Sequence, residues 1–360
     1  MLICPVCERM YPPGSEERCP DDDSLLYALG DATVDGPKLA PGTVVAGKYE
    51  LIEEMERRGG AGRTFKARQT RLDRVGELRV LPQNTITKPA DHARFQREVE
   101  TWGRLRSDHL VRLYDSGFTE RNAPYMALEL VDGGSLGHKV RTDGPLPTAT
   151  VRVVADHTLR ALESAHGGNV LHRDVSPDAI VMGRRPDGEP YARLTGFGLA
   201  KHMGDEDDDP TAITMTGQVI GNPRYMAPET IMLGVLDPRT DLYALGVALY
   251  ELLAGQRPFK GESLADMLKA HVQGTPNPLR VARPEVTPGM QRFIERLLEK
   301  DPEARFQSAA DARAALDEVD DSQTGTEVIT EDGPGHAMWI AAGVGLLLVG
   351  AAIAFFLTRQ

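Results

Sequence analysis

The sequence predicts an α+β protein built on one large domain with small appendages, and three observations carry that expectation. The chain has 360 residues, enough for one sizeable core and a few short additions. Between Lys48 and Val319 strand-like and helix-like segments follow one another: GELRVL at Gly76 to Leu81, then RFQREVETW, then the apolar RTDLYALGVALYELLAGQRPF. Outside that stretch lie two pieces of different character, a cysteine-bearing start and an uncharged apolar run at Ala337 to Leu357.

All 3 cysteines lie within the first nineteen residues, as Cys4-Pro5-Val6-Cys7 and then Cys19-Pro20-Asp21-Asp22. Two such knuckles stand in the register of a zinc ribbon, with Asp22 where a fourth cysteine belongs. Three thiolates and one carboxylate can complete a tetrahedral zinc site. So short a segment has too little core to fold unaided, so the metal would supply its folding energy. Structural zinc on Cys4, Cys7, Cys19 and Asp22 is therefore expected, against a metal-free ribbon as the alternative. No neighbouring His or Glu is placed to act as a general base, so a catalytic zinc is not. No charged-then-apolar leader precedes the cysteines, which argues against a disulfide framework. Residues 1–29 form this segment and 30–44 a linker.

A formal net charge of −12 argues against a nucleic-acid partner, because a phosphate backbone is bound by clustered Lys and Arg. Part of the acidity is local, in Asp205-Glu206-Asp207-Asp208-Asp209. That run reads as a solvated loop; the sharper alternative pins it against a basic group such as Arg173.

Further motifs complete the set. Arg57 to Gly62 is a glycine-bearing loop, PYMALELV follows the helix that carries Glu98, and His172-Arg173-Asp174 opens HRDVSPDAI. Gly196-Phe197-Gly198 and Ala227-Pro228-Glu229 come next. In this order they resemble a bacterial Ser/Thr protein kinase domain of the eukaryotic-like, Hanks-type family, over about Lys48 to Val319. The resemblance implies a two-lobed fold over residues 45–319, with a β-rich N-lobe and a helical C-lobe. It also implies nucleotide-facing positions: Gly59 and Gly62 in the glycine-rich loop, Arg79 and Glu98 around the phosphates, and Glu77, Leu128, Glu129, Val131 and Val181 around adenine.

At several of these positions the chain departs from the family. Gly196 stands where an aspartate holds magnesium, and Ala179 where an asparagine binds the second metal. Ser176 replaces the catalytic-loop lysine, Arg79 the phosphate-binding lysine, and Glu77 the small residue above adenine. Residues at i and i+2 of a strand share a face, so Glu77 and Arg79 are expected to pair and fill the cleft. Arg57 for a glycine stiffens the loop, and Asn222 replaces a substrate-binding threonine. Asp174, the residue that would orient or deprotonate a substrate hydroxyl, is kept. So are the residues of the stack linking the lobes, His172, Phe197, Trp102 and Leu113 over Asp241, and the buried pair of Glu229 with Arg305. The expectation is a pseudokinase that signals through protein partners, with magnesium not expected and ATP binding left open. The alternative is an active Ser/Thr kinase in which Asp174 is the base and Asp178 a substitute metal ligand.

The run Ala337 to Leu357 is 21 residues long and uncharged, matching a bilayer hydrocarbon core at 1.5 Å per residue. It is expected to anchor the chain in the cell membrane by a single C-terminal pass, with the kinase-like domain cytoplasmic. Small residues at Ala341, Gly345, Gly350 and Ala354 permit, without requiring, a homodimer. Asp320 to His336, poor in large apolar residues, reads as an acidic tether.

Overall fold

The computed structural model describes residues 39–55, 62–82, 89–196, 222–261 and 263–320, with the backbone alone at 2–3, 10–11, 27–28 and 201–202. Within 89–98, side chains are described only at 92, 95 and 96. The chain divides into two units, Met1–Gln323 and Thr324–Gln360. The second unit lies outside the described residues, and with it the apolar run expected to span a membrane. Among the described residues no helix is long and apolar enough to cross one.

Three short strands open the chain: β1 (Leu2–Ile3) pairs antiparallel with both β2 (Met10–Tyr11) and β3 (Tyr27–Ala28). Cys4 and Cys7 fall in the connection from β1 to β2, and Cys19 and Asp22 in that from β2 to β3. All four lie outside the described residues.

The N-lobe is a curled antiparallel sheet of β4 (Val44–Val45), β5 (Tyr49–Met55), β6 (Arg63–Gln69), β7 (Arg74–Val80), then, beyond helix α1 (Pro89–Arg104), β8 (Leu113–Phe118) and β9 (Pro124–Leu128). Their order in the sheet is β4-β5-β6-β7-β9-β8. Alternation along these strands splits the apolar side chains between two cores. Phe65, Ala67, Leu78, Val80, Tyr125 and Ala127 close one cluster, whereas Met126 and Leu128 join the large cluster that continues into the C-lobe. The sheet therefore has an outer face and an inner, cleft-side face.

The C-lobe begins with α2 (Leu136–Asp143) and α3 (Thr148–Gly167), then β10 (Val170–Leu171), the hairpin of β11 (Ile180–Arg184) and β12 (Pro190–Leu194), and β13 (Lys201–His202). Strand β13 pairs with β10, Val170 opposite His202. After it come α4 (Pro228–Leu233), α5 (Pro238–Ala254), α6 (Leu264–Gln273), α7 (Leu279–Ala282), α8 (Pro288–Leu297) and α9 (Ala309–Asp317). Helix α5 is the axis. It starts on the Asp237 cap with Pro238 in its first turn, and Thr240 through Tyr250 are all buried. A helix apolar on every side needs protein on every side, which α3 and α8 provide.

Candidate active site

The inner face of β7 carries Glu77 and Arg79, which lie opposite Leu128 and Met126 of β9 and opposite Lys66 and Thr64 of β6. Both side chains are buried, 2% and 1% exposed, and the Arg79 guanidinium Nη2 donates to Glu77 Oε1 at 3.1 Å. They share their face with the cluster that contains Leu128, Val131 and Val181. An ion pair thus stands beside the apolar strip that the resemblance assigns to adenine. Gly62 lies immediately before β6; Gly59, Arg57, Arg58 and the side chain of Glu98 are outside the described residues.

The first residue after β9, Glu129, is tied back on both counts. Its N–H donates to the Arg112 carbonyl at 2.8 Å, and its carboxylate accepts from the Arg193 guanidinium of β12.

The catalytic loop hangs on Asp241, in the first turn of α5. Its carboxylate accepts the His172 N–H at 2.9 Å and the Arg173 N–H at 2.8 Å, while His166 Nε2 lies 2.9 Å from it. Burial alone would push this carboxyl up, but the hydrogen bond and charge of His166, with the His172 backbone N–H, hold it below the ordinary value. Arg173 sits at φ +65°, a left-handed backbone that costs a non-glycine residue about 1–2 kcal/mol. The bonds from Asp241 offset that cost. His172 is fully buried, with Nε2 donating to the Thr195 carbonyl at 2.9 Å and Nδ1 accepting the Asp174 N–H at 3.3 Å. Burial lowers its pKa, and one donor and one acceptor nitrogen suit the neutral ring. Asp174 is half-buried beside it.

Beyond Asp174, the loop bends through a short 3-10 turn at Pro177–Ala179, with Ser176 buried ahead of it. The Thr195 N–H donates to the Ala179 carbonyl at 2.8 Å, which sets Gly196 beside Ala179. Gly196 has φ +98°, and a Cβ built there would stand 3.8 Å from the Ala179 Cβ and 3.8 Å from the His172 ring. The two positions that the resemblance assigns to metal ligands therefore face each other, one bearing a methyl and the other nothing. Magnesium demands oxygen ligands in near-octahedral array. These residues do not fit that ion. Phe197 is outside the described residues.

Asp178 is engaged elsewhere. Its two oxygens accept from Arg141 Nη1 and Nη2 of α2 at 3.2 and 2.9 Å. Four residues before Arg141 on the same helix face, Gly137 makes room for the carboxylate: a Cβ there would come within 2.0 Å of Asp178 Oδ1. The carboxylate considered as a substitute metal ligand is thus turned to α2. This clamp went unread in the sequence, although Gly137 and Arg141 at helical spacing are a signal that a close partner was needed. The same holds for Arg193 on Glu129, which joins elements far apart in the chain.

Below the loop, Asn222 Oδ1 accepts the Arg224 N–H at 3.2 Å and the Tyr225 hydroxyl donates to Glu251 Oε2 at 2.7 Å. Glu229 pairs with Arg305 through two bonds of 2.7 Å, the side chains 6% and 0% exposed.

This arrangement of two lobes and a catalytic loop agrees with what comparison of the whole sequence finds. The family described as "Protein kinase domain" matches residues 53–316. The chain belongs to the protein kinase family. Among similar proteins, the serine/threonine-protein kinase pkn3 of Myxococcus xanthus is 37% identical over 281 residues, covering 78% of this chain and 51% of the relative. The serine/threonine-protein kinase PknB of Mycolicibacterium smegmatis is 34% identical over 280 residues, covering 77% and 43%. PknB of Mycobacterium tuberculosis is 33% identical over 273 residues, covering 75% and 42%. The chain thus spans about half the length, or somewhat less, of these curated relatives. On the resemblance set out above, Asp174, Asp241, Glu229 and Arg305 are the residues expected at family positions, whereas Gly196, Ala179, Ser176, Glu77 and Arg79 are expected to depart from the family's residue types.

Proposed function

We propose that this member of the kinase family has given up metal-assisted phosphoryl transfer and works by binding protein partners through a kinase-shaped scaffold. The observation that carries this reading is the pairing of Gly196 with Ala179, which leaves no oxygen ligand at either metal position. Electrostatic stabilisation is the main contribution of such a site, and losing one group typically costs about 10²–10³ in rate. The buried Glu77–Arg79 pair adds to the deficit, since it occupies the face where adenine and phosphates would lie. Nucleotide binding, where it occurs, is expected to be independent of magnesium.

Two accessory features complete the proposal. Zinc on Cys4, Cys7, Cys19 and Asp22 would staple the N-terminal segment, and the antiparallel β1–β3 frame, with two ligands on each connection, supports it. Ala337 to Leu357 would tether the domain to a membrane. Fractions of the full chain sedimenting with membranes after alkaline wash, and zinc released on thiol modification, test these separately.

A second reading, an active Ser/Thr kinase, is favoured by the retained Asp174 and by the names of the relatives. Thermal melting with nucleotide, with and without magnesium, separates the two, because a ligand that binds only the folded state raises the melting temperature. A magnesium-dependent rise, together with radiolabel passing from the γ-phosphate to serine or threonine and vanishing in Asp174→Asn, would overturn the scaffold reading.

A further inference from the structure

Around His271 the C-lobe carries a face unlike the rest of this acidic chain. His271 is fully buried, its Nδ1 3.0 Å from the Tyr243 hydroxyl, its Nε2 3.1 Å from the Arg224 carbonyl, and its ring 4.9 Å from that of Phe259. Three stretches meet there: residues 222–225, the loop 255–261 and α6. They bear Arg224, Lys260 and Lys269, all exposed, and Arg257, half-buried. Among the described residues none of these four cations has an ion-pair partner, and Arg257 Nη1 is buried without a hydrogen-bond partner. Of the described acids nearby, Glu229 pairs with Arg305 and Asp237 with Arg239, Asp266 accepts the Ser263 hydroxyl, and Glu251 accepts the Tyr225 hydroxyl and lies within the field of Arg257 without pairing with it.

The same face has an apolar flank. Met232, Leu233, Val235 and Leu236 are 58%, 68%, 45% and 38% exposed, and Leu264 of the neighbouring α6 is 48% exposed. Helix α6 itself buries only His271. An exposed apolar patch edged by unpaired cations marks an interaction site for something both acidic and apolar.

The chain contains such a segment between His202 and Asn222. Asp205 to Asp209 supplies five consecutive carboxylates, and Ile213, Met215, Val219 and Ile220 follow. Asp209 is seven residues after His202 and thirteen before Asn222, so extended chain allows it roughly 23 and 43 Å from those two ends at about 3.3 Å per residue. A connection that short keeps the run near the face at a high effective concentration, roughly millimolar. A separate acidic partner would instead have to approach a molecule of net charge −12. We propose that Asp205 to Asp209 docks within its own chain on Arg224, Arg257, Lys260 and Lys269, with the apolar residues after it covering Met232, Leu233 and Leu264. The contact goes beyond the scaffold reading: it holds whether or not the cleft transfers phosphate.

Zero-length carbodiimide coupling of the dilute full chain tests it, with an equal mixture of ordinary and heavy-nitrogen protein so that links within and between copies are told apart. The expected product joins a carboxyl of Asp205 to Asp209 to the Nζ of Lys260 or Lys269 in isotopically pure peptides. It should be lost in about 1 M salt, where the screening length falls to about 3 Å. It should also be lost when Asp205→Asn, Glu206→Gln, Asp207→Asn, Asp208→Asn and Asp209→Asn are combined, and when Lys260→Glu and Lys269→Glu are combined. Exchange of α6 amides, slowed several-fold in the parent, should speed up in both sets and slow again when the acidic run is made lysine in the presence of Lys260→Glu and Lys269→Glu. No link, or links only in mixed-isotope peptides, would overturn the proposal, the latter in favour of a second copy. Protection of α6 that appears only on adding anionic lipid vesicles would overturn it in favour of a membrane surface.

Discussion

Two regions of this molecule, separated by a few residues of the catalytic loop, have been treated differently. Beneath the loop, Asp241 takes two backbone N–H groups and His166, and Glu229 meets Arg305 in a fully formed buried pair. Above it, Gly196 and Ala179 bring no side-chain oxygen, and Arg79 donates to Glu77. The Asp241 carboxylate and the Glu229–Arg305 pair, which would be costly to leave unpaired, have their partners. In the cleft, what is missing would have been paired with a ligand and not with protein. A fold can lose such groups without becoming less stable, so on the scaffold reading proposed above the chemistry could change while the frame stayed as it was.

The largest effect should come from rebuilding the cleft. Glu77→Ala, Arg79→Lys, Ala179→Asn and Gly196→Asp together are expected to create a magnesium-dependent nucleotide shift in melting temperature, and to raise any phosphoryl transfer by more than about 10², on the cost usually attached to one electrostatic group. Ala179→Asn with Gly196→Asp alone should fall short, because the Glu77–Arg79 pair remains in place. Gly196 has room for a Cβ, at 3.8 Å from its neighbours, but its φ of +98° makes aspartate strained there. A full magnesium-dependent response from the two-residue variant would show that the β7 pair does not block the cleft.

Beneath the loop, removing one member of the buried pair should come next. Arg305 places Nη1 and Nη2 on Glu229, Nε on the Glu299 carbonyl at 2.7 Å and further bonds on the carbonyls of Arg239 and Lys300. Glu229→Gln or Arg305→Met leaves an uncompensated charge or orphaned carbonyls, with an expected loss of about 3–5 kcal/mol in chemical denaturation. A loss below about 1 kcal/mol would mean that the frame is not what keeps the fold.

The parts readable in the sequence were those with a local period or a compact motif. Strand alternation placed Glu77 and Arg79 on one face, and the uncharged stretch from Leu242 to Tyr250 marked α5 as a central helix. The kinase motifs pointed to Glu229 and Arg305 as partners though they are 76 residues apart. What stayed hidden were contacts with no period behind them. Asp178 meets Arg141 across 37 residues, and Arg193 meets Glu129 across 64. Nothing in either local sequence names the partner. The cysteine knuckles were read from their spacing, the acidic run and the apolar C-terminal stretch from composition, and all three lie outside the described residues.

Acid should loosen the frame. Burial, and then the charge of Lys300, lower the His271 pKa from 6.5 to about 4. Between those values the unfolded chain takes up a proton that the buried ring refuses. Stability is therefore complete above pH 6.5, falls as the pH drops toward 4, and levels off below, by roughly 3 kcal/mol for this residue. His157, stacked on His109 with centroids 4.1 Å apart and also lowered to about 4, adds to the same slope. His271→Gln should flatten part of the curve of unfolding free energy against pH and leave the His157 part. An unchanged slope would mean that the Tyr243 and Arg224 bonds do not exclude a proton.

The smallest effects separate packing from charge at the Asp178 clamp. Arg141 and Asp178 are 56% and 33% exposed, so the pair, though bidentate, belongs to the class worth about 0.2–1 kcal/mol. Arg141→Ala should cost no more than that and should fade with salt. Gly137→Ala alters no charge, yet its new methyl would overlap the Asp178 carboxylate at 2.0 Å and press on the turn at Pro177–Ala179. That substitution should cost about 1–3 kcal/mol, independent of salt. If the order were reversed, with the arginine costing more than the glycine, the loop would be held in place by its ion pair. If it stands, the close approach of α2 places the catalytic loop, and the guanidinium only seals it.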